Sequence, residues 1–452
     1  MHLRYSYRIY PTVGQRQALA RTFGCARVVY NDALVLRKAA YRVDGSMIPT
    51  GALAKAVITD AKKTAGRSWL ASVSVDALQS SLRDLDTAYR NFFDSVSGKR
   101  AGRRAGLPRF KSRKDTRQSL RFSRNGFRIR SNGKPNLAKI GDVRVKWSRA
   151  LPAEPSSVTV MLDPSGRYHV SFVVDVAPEH LPEVDTEVGI DLGLTTYAVL
   201  SDGTLIDNPR FLRKAEKRLR AAQRELSRKA KGSKNRAKAR RKVAKAHAKV
   251  ADTRMDWLHK QTTRLIGENQ AVYLEDLNVR GLARTRLAKS VADAGWSTFR
   301  RLLEEKAVRY GRHVGVIGRF EPTTQVCSHC GVNDGPKLLN VRTWTCGACG
   351  AFHDRDLNAA RNILAAGRAD RLNACGGPVR PGAAIPRRAQ SVETGTRRNA
   401  GRTGRKPRAE GAAGVPVPQH GEDVNRISLR PGACLDPRAQ SATTRLRTAS
   451  RK

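Results

Sequence analysis

The sequence is poor in aromatic residues, at 6% of the chain, and from Arg371 to Lys452 it has no Phe, Trp or Tyr. That stretch sets seventeen Lys or Arg against five acids and is rich in Gly and Pro, so it cannot build a core. Residues 371–452 therefore read as a basic, disordered tail. No run of 18 apolar residues occurs and no signal-peptide pattern follows Met1-His2-Leu3-Arg4, which argues against a membrane span or an exported protein. Cysteine is scarce: of seven, Cys25, Cys375 and Cys434 have no framework spacing, which speaks against a disulfide scaffold and for a reducing compartment.

Acidic residues are also few relative to basic ones. Lys and Arg number 86 against 39 Asp and Glu, a net charge of +47 and a pI near 11.1, well beyond what solubility requires. A polyanion is the natural partner. The excess peaks in residues 211–250, where seventeen Lys or Arg face two Glu and Leu212, Ala215, Leu219, Ala222 and Leu226 keep helical spacing. Gly232-Ser233 predicts the break of a helical hairpin, either simply solvated or held against a nucleic-acid backbone. The chain is expected to be cytoplasmic and nucleoid-associated, with no membrane partner.

What is present is specific. Cys327-x-x-Cys330 and Cys346-x-x-Cys349 are two close pairs separated by fifteen residues, each followed by glycine (Gly331, Gly350) as a metal knuckle requires. Structural Zn²⁺ is the reading, against two disulfides as the rival. Asp354-Arg355-Asp356-Leu357-Asn358-Ala359-Ala360 follows at once. A helix beginning near Arg355 places Asp356, Ala359, Ala360 and Ile363 on one inward face, with Asp354 as N-cap; both aspartates could equally serve as caps. Two more acids sit in strand-like runs. Asp191 interrupts Val188-Gly189-Ile190-Asp191-Leu192, and Glu275 ends Ala271-Val272-Tyr273-Leu274-Glu275. Three carboxylates on separate apolar elements repel one another unless divalent cations neutralise them. A pair of Mg²⁺ ions held this way could cleave a phosphodiester.

The N-terminal half reads as strand, helices, strands. Leu3, Tyr5, Tyr7 and Ile9 alternate, Pro11 stops the strand, and Thr12-x-x-Gln15 resembles a capping box. Leu78, Leu82, Leu85, Tyr89 and Phe92 keep helical spacing, and strands flank the turn Asp163-Pro164-Ser165-Gly166. His169 reads as a strand residue and nothing more.

Taken in order, Gly189-Ile190-Asp191-Leu192-Gly193, Tyr273-Leu274-Glu275-Asp276-Leu277-Asn278, the four cysteines and Asp354 through Leu364 resemble the split RuvC-type site of TnpB, the OrfB group of insertion-sequence proteins. Gly106 through Lys111 and Trp296 through Phe320 also look like family segments, so the resemblance spans roughly residues 1 to 375. Those proteins are related to type V CRISPR effectors.

The resemblance implies an α/β multidomain fold: a wedge-domain strand (1–12), a helical recognition insert (13–115) and the rest of an N-terminal β-barrel wedge domain (116–182). An RNase H-like (RuvC-type) nuclease part (183–320) follows, carrying the basic hairpin 211–268. An inserted Cys₄ zinc ribbon (321–352), the final RuvC-like helix (353–370) and the tail complete it. It further implies catalytic, Mg²⁺-binding Asp191, Glu275 and Asp356, with Asp354 as the alternative third acid. The function implied is an RNA-guided DNA endonuclease, a monomer bound to a guide RNA from the transposon end, cutting target DNA next to a short flanking motif. Rival readings are a guide-independent transposase or RNase H-like nuclease, and a catalytically silent RNA-guided repressor.

Overall fold

The computed structural model describes residues 1–338 and 340–374. Of the tail expected over 371–452, residues 371–374 instead continue the last helix, and the rest, with Cys375 and Cys434, lies outside the described residues. The chain divides into two compact units, and the architecture below is that of Met1–Gly367.

Strand β1 (His2–Tyr10) buries Tyr5, Tyr7 and Ile9, as its alternation implies. Helix α1 (Val13–Asp44) starts on a true capping box: Gln15 N donates to Thr12 Oγ1 at 3.3 Å, and Thr12 N to Gln15 Oε1 at 3.0 Å. After α2 (Thr50–Ala54), α3 (Val75–Val96) packs Leu78, Leu82, Leu85 and Tyr89 into one cluster with Val29, Ala33 and Leu34 of α1.

Strands β2 (Gln118–Ser123), β3 (Phe127–Ile129), β4 (Pro135–Leu137), β5 (Gly141–Asp142), β6 (Arg144–Lys146), β7 (Pro155–Leu162) and β8 (Tyr168–Asp175) follow. They form a five-stranded antiparallel sheet, β2-β7-β8-β1-β6, and a three-stranded one, β3-β4-β5. Gly166, at φ 85°, closes the turn between β7 and β8 by donating to Asp163 O at 2.9 Å. Among the described residues no pairing joins β2 to β6, so the expected barrel is an open sheet here. The edge strand β6 is three residues long and pairs only with Arg8, Ile9 and Tyr10 of β1.

The second half is built on a mixed sheet. β9 (Glu187–Leu192), β10 (Thr196–Leu200) and β11 (Leu205–Asp207) run antiparallel to one another in succession. The basic hairpin α4 (Phe211–Ser227) and α5 (Lys234–Glu268) turns at Gly232, φ 87°. Then come β12 (Ala271–Glu275), α6 (Val279–Leu282), α7 (Ala288–Ala294), α8 (Trp296–Tyr310) and β13 (His313–Ile317). The order is β11-β10-β9-β12-β13, with β9, β12 and β13 parallel. Asp293 of α7 caps α4 by accepting from Leu212 N at 2.8 Å. Within the hairpin stripe Leu219 is fully buried and Leu212, Ala215, Ala222 and Leu226 are half-buried, which leaves the charged flanks to solvent.

Alternation along β9 and β12 sorts the two faces of this sheet. Val188, Ile190, Val272 and Leu274 join the core formed with Leu258, Leu265, Phe299 and Leu303 of α5 and α8. The opposite face carries Gly189, Asp191, Ala271, Tyr273 and Glu275. Against it lies α9 (Arg355–Ala374), which follows the hairpin of β14 (Thr343–Thr345) and β15 (Phe352–Asp354).

Candidate active site

Register brings the first two acids together. Ile190 pairs with Leu274 across the parallel strands, so Asp191 and Glu275 are each the next residue along adjacent strand ends. Both follow the alternation toward α9. That helix approaches closely because residue 189 is glycine: a Cβ there would sit 2.2 Å from Ala360 O and 2.5 Å from Leu364 N. Ala359, Ala360 and Ile363 are fully buried against the sheet, and Asp356, one turn earlier, reaches the same end.

The electrostatics agree. Burial, Glu275 and Asp356 push the Asp191 carboxyl up to about 8, with Arg355 opposing. Asp191 keeps part of its surface exposed, but its carboxyl is hemmed in by protein and by two like charges. This is the donor set and the uncompensated charge that a hard divalent cation fits. The three carboxylates are more widely spread than a single-ion cage: among the described residues only the cysteine cluster has all its donor atoms within 4.8 Å of one another.

The two aspartates of the Asp-Arg-Asp motif have different jobs. Asp354 Oδ1 accepts from Asp356 N at 3.0 Å and Leu357 N at 2.9 Å, so it caps α9. Asp356, 34% exposed, instead meets Arg342 Nη1 at 3.4 Å from each oxygen.

At the ribbon, Cys327 Sγ and Cys349 Sγ are 3.7 Å apart, as are Cys330 Sγ and Cys346 Sγ. A tetrahedron with Zn–S bonds of about 2.3 Å has edges of about 3.8 Å, so the four thiols fit Zn²⁺ and not two disulfides. The backbone amides of Cys349 and Ala348 help lower Cys346 to about 7, while burial and the neighbouring thiols push Cys349 up to about 12, so the four thiols share their protons as one set.

Several partners carried no assignable signal in the sequence. Arg342 lies opposite α9's first residue, since Arg355 N donates to its carbonyl at 2.8 Å. His353, buried on β15 and packed on Trp344, puts Nε2 3.0 Å from Cys327 Sγ. Asn358, 1% exposed, accepts from Ser328 N in the first knuckle at 2.8 Å and donates to Val326 O at 2.8 Å. Asn362 donates to Thr323 O at 2.8 Å, and Thr323 Oγ1 donates to Glu275 Oε1 at 2.7 Å. One hydrogen-bonded chain thus runs from the metal knuckle through α9 to Glu275. Helical spacing of Asn358 and Asn362 was visible in the sequence, but their target was not.

Among the described residues no helix is long and apolar enough to cross a membrane. Residues 171–286 match a family profile described as "Probable transposase", and residues 296–363 one described as "Cas12f1-like, TNB domain". Residues 1–46 match a "Helix-turn-helix domain" profile, although the fold there is one strand and one long helix. A Cas12f1 chain, solved by cryo-EM in a complex with sgRNA and target DNA, is similar at TM-score 0.47 and 15% identity, over 77% of this chain and 82% of that one. A Streptomyces pristinaespiralis protein named "Putative RNA-guided DNA endonuclease" is 44% identical, covering 83% of this chain and 92% of its own. The Escherichia coli K12 protein "Putative RNA-guided DNA endonuclease InsQ" is 32% identical, covering 84% and 95%. With the acids, the cysteine ribbon and near-complete coverage of such relatives, the chain belongs to the TnpB (OrfB) family.

Proposed function

We propose that this chain is an RNA-guided, divalent-metal-dependent DNA endonuclease, active as a monomer bound to an RNA from the transposon end. It cuts target DNA beside a short flanking motif that the protein reads. The observation that carries the reading is the convergence of Asp191, Glu275 and Asp356 from β9, β12 and α9, where burial first and then the charges of Glu275 and Asp356 raise the Asp191 carboxyl to about 8. The sheet order β11-β10-β9-β12-β13 supports its RNase H-like, RuvC-type character.

Asp191, Glu275 and Asp356 would hold Mg²⁺, which when bound activates water and offsets charge on the leaving oxygen. Thr323 fixes the Glu275 carboxylate through its hydroxyl. Arg342 supplies the cation beside Asp356, and its guanidinium geometry also suits a phosphate oxygen. Structural Zn²⁺ on Cys327, Cys330, Cys346 and Cys349 holds the ribbon that carries Arg342 and feeds into α9. Lys and Arg on α4 and α5 offer a backbone-reading surface for an RNA–DNA duplex, which is recognised by shape and charge.

Strand transfer uses the same acids, and the "Probable transposase" match keeps that reading in view. Rewriting the 3′ segment of the copurifying RNA separates the alternatives. A cut that moves to the newly specified site, with Mg²⁺ and the flanking motif present, supports guided hydrolysis. Cutting at an unchanged site, or equally well without RNA, means a guide-independent nuclease, and joined products mean a transposase. Guided binding with no cutting at any Mg²⁺ concentration means a repressor.

A further inference from the structure

Phe320 is 93% exposed, more than any other large apolar side chain among the described residues. Its place is unusual for so exposed a ring. It sits in the turn from Gly318 to Glu321 that leaves β13, where Glu321 N donates to Gly318 O at 3.3 Å. Ile317, the last residue of β13, pairs in register with Glu275.

Both sides of Phe320 are tied to that strand end. Before it, Arg319 Nε donates to Asp276 O at 3.1 Å, and its guanidinium pairs with the Asp276 carboxylate. After it, Thr323 Oγ1 donates to Glu275 Oε1 at 2.7 Å. The turn is therefore pinned to two consecutive acids while the ring between the pins stands in solvent. Arg300 Nη1, 3.0 Å from Asp276 Oδ1, adds a second guanidinium beside it.

An exposed aromatic ring on a turn pinned through Arg319 and Thr323, beside the strand end bearing Glu275, fits a nucleobase on a single polynucleotide strand. Bases stack on aromatic side chains whatever their identity, and a chain of net charge +47 draws a polynucleotide backbone. An apolar peptide would meet the Arg319–Asp276 ion pair beside the ring and has no such match.

We propose that Phe320 is a stacking platform for a nucleobase of the DNA strand entering the nuclease site, and so sets which phosphodiester comes to rest at the acids. The inference rests on the endonuclease reading above. Phe320 touches neither metal nor scissile bond; it is a positioning residue. Stacking needs a π face, so Trp can replace Phe whereas Leu, equally apolar, cannot.

The test uses full-length, guide-loaded protein and single-stranded DNA oligonucleotides carrying 2-aminopurine at successive positions, bound in an Asp191→Asn background so that the strand stays whole. One position should be quenched with Phe320, unquenched with Phe320→Ala and Phe320→Leu, and quenched again with Phe320→Trp. In the cleavage-competent chain, Ala and Leu should raise KM for the single strand roughly tenfold, a stacking-sized loss, and scatter the cut over neighbouring bonds. Trp should restore both. Equal KM and an unchanged cut pattern in Phe320→Ala, or full function in Phe320→Leu, would overturn the platform. If the unmodified protein neither binds nor cuts DNA, the endonuclease reading itself fails and takes the platform with it.

Discussion

The Thr323 hydroxyl donates to Glu275 at 2.7 Å while the Thr323 carbonyl accepts from Asn362 on α9 at 2.8 Å. One residue therefore links the second acid to the helix that carries the third. Thr323→Val keeps the shape and the carbonyl but deletes the donor. A hydrogen bond to a charged group is worth about 1.5–3 kcal/mol, so cleavage should fall roughly ten- to a hundredfold at fixed Mg²⁺. Half-maximal Mg²⁺ concentration should rise while zinc content stays constant; an unchanged Mg²⁺ requirement would count against the link.

Asp191→Ala, Glu275→Ala and Asp356→Ala should each abolish cleavage and leave RNA affinity nearly intact, because Asp191 and Glu275 stand on the sheet face opposite the one that packs against α5 of the basic hairpin. Asp354→Ala should lose only a helix cap, about 1 kcal/mol, with activity reduced but present. Cleavage assays and RNA gel shifts on the four variants check this. If Asp354→Ala kills activity and Asp356→Ala does not, the roles are reversed.

Stability should depend on pH through Asp191. Its carboxyl is raised to about 8 by burial and by Glu275 and Asp356, against about 3.9 when unfolded. Between those values the folded chain binds a proton that the unfolded chain has released, so stability falls as pH rises across that window. Thermal melts without divalent ion should show Tm dropping from about pH 5 to about pH 8, and Asp191→Asn should flatten the slope. Mg²⁺ should raise Tm more at the upper end. An equal slope in the Asn variant would mean that the Asp191 carboxyl is not raised by its surroundings.

Cys330→Ser or Cys346→Ser should release zinc and lower stability and activity together, since β15 leads directly into the first turn of α9. Elemental analysis of the purified folded protein should find one zinc per chain, and none would overturn the ribbon reading. His353→Ala should keep the four thiols yet bind zinc about tenfold more weakly in a chelator competition, the scale of a lost partner to a ligand.

Gly189→Ala tests how tightly α9 sits. The added methyl meets the Ala360 carbonyl at 2.2 Å, a backbone atom that can yield only by moving the helix. A cost of about 1–3 kcal/mol in Tm or denaturant midpoint is expected, with a larger proportional loss of cleavage because Asp356 moves too. Unchanged stability would show that α9 floats more freely than its packing implies.

Much of this was legible in the sequence because it is local. The capping box at Thr12, the hairpin break at Gly232, the strand ends at Asp191 and Glu275 and the helix start at Arg355 each rest on residues within one turn or one strand of each other. Cysteine spacing works for the same reason: a tetrahedron constrains short intervals. Closure of the N-terminal sheet was not legible, since it depends on whether the edge strands β2 and β6 meet, and that is decided by neighbours far away in sequence. Arg342, Thr323 and Asn358 were missed likewise. Arg342 and Asp356 are joined by a hairpin that had to be seen, and Thr323 acts through Glu275, 48 positions earlier.

The close passage of α9 over Gly189 has a consequence for how the protein is made. Translation delivers β9 and β12 long before α9, and domains generally fold in order of synthesis. An emerging chain completes its basic hairpin while Asp191 and Glu275 still lack their third partner, which arrives only when the helix settles over the glycine. On the function proposed above, the surfaces that would aim a cut are made before the chain could make one.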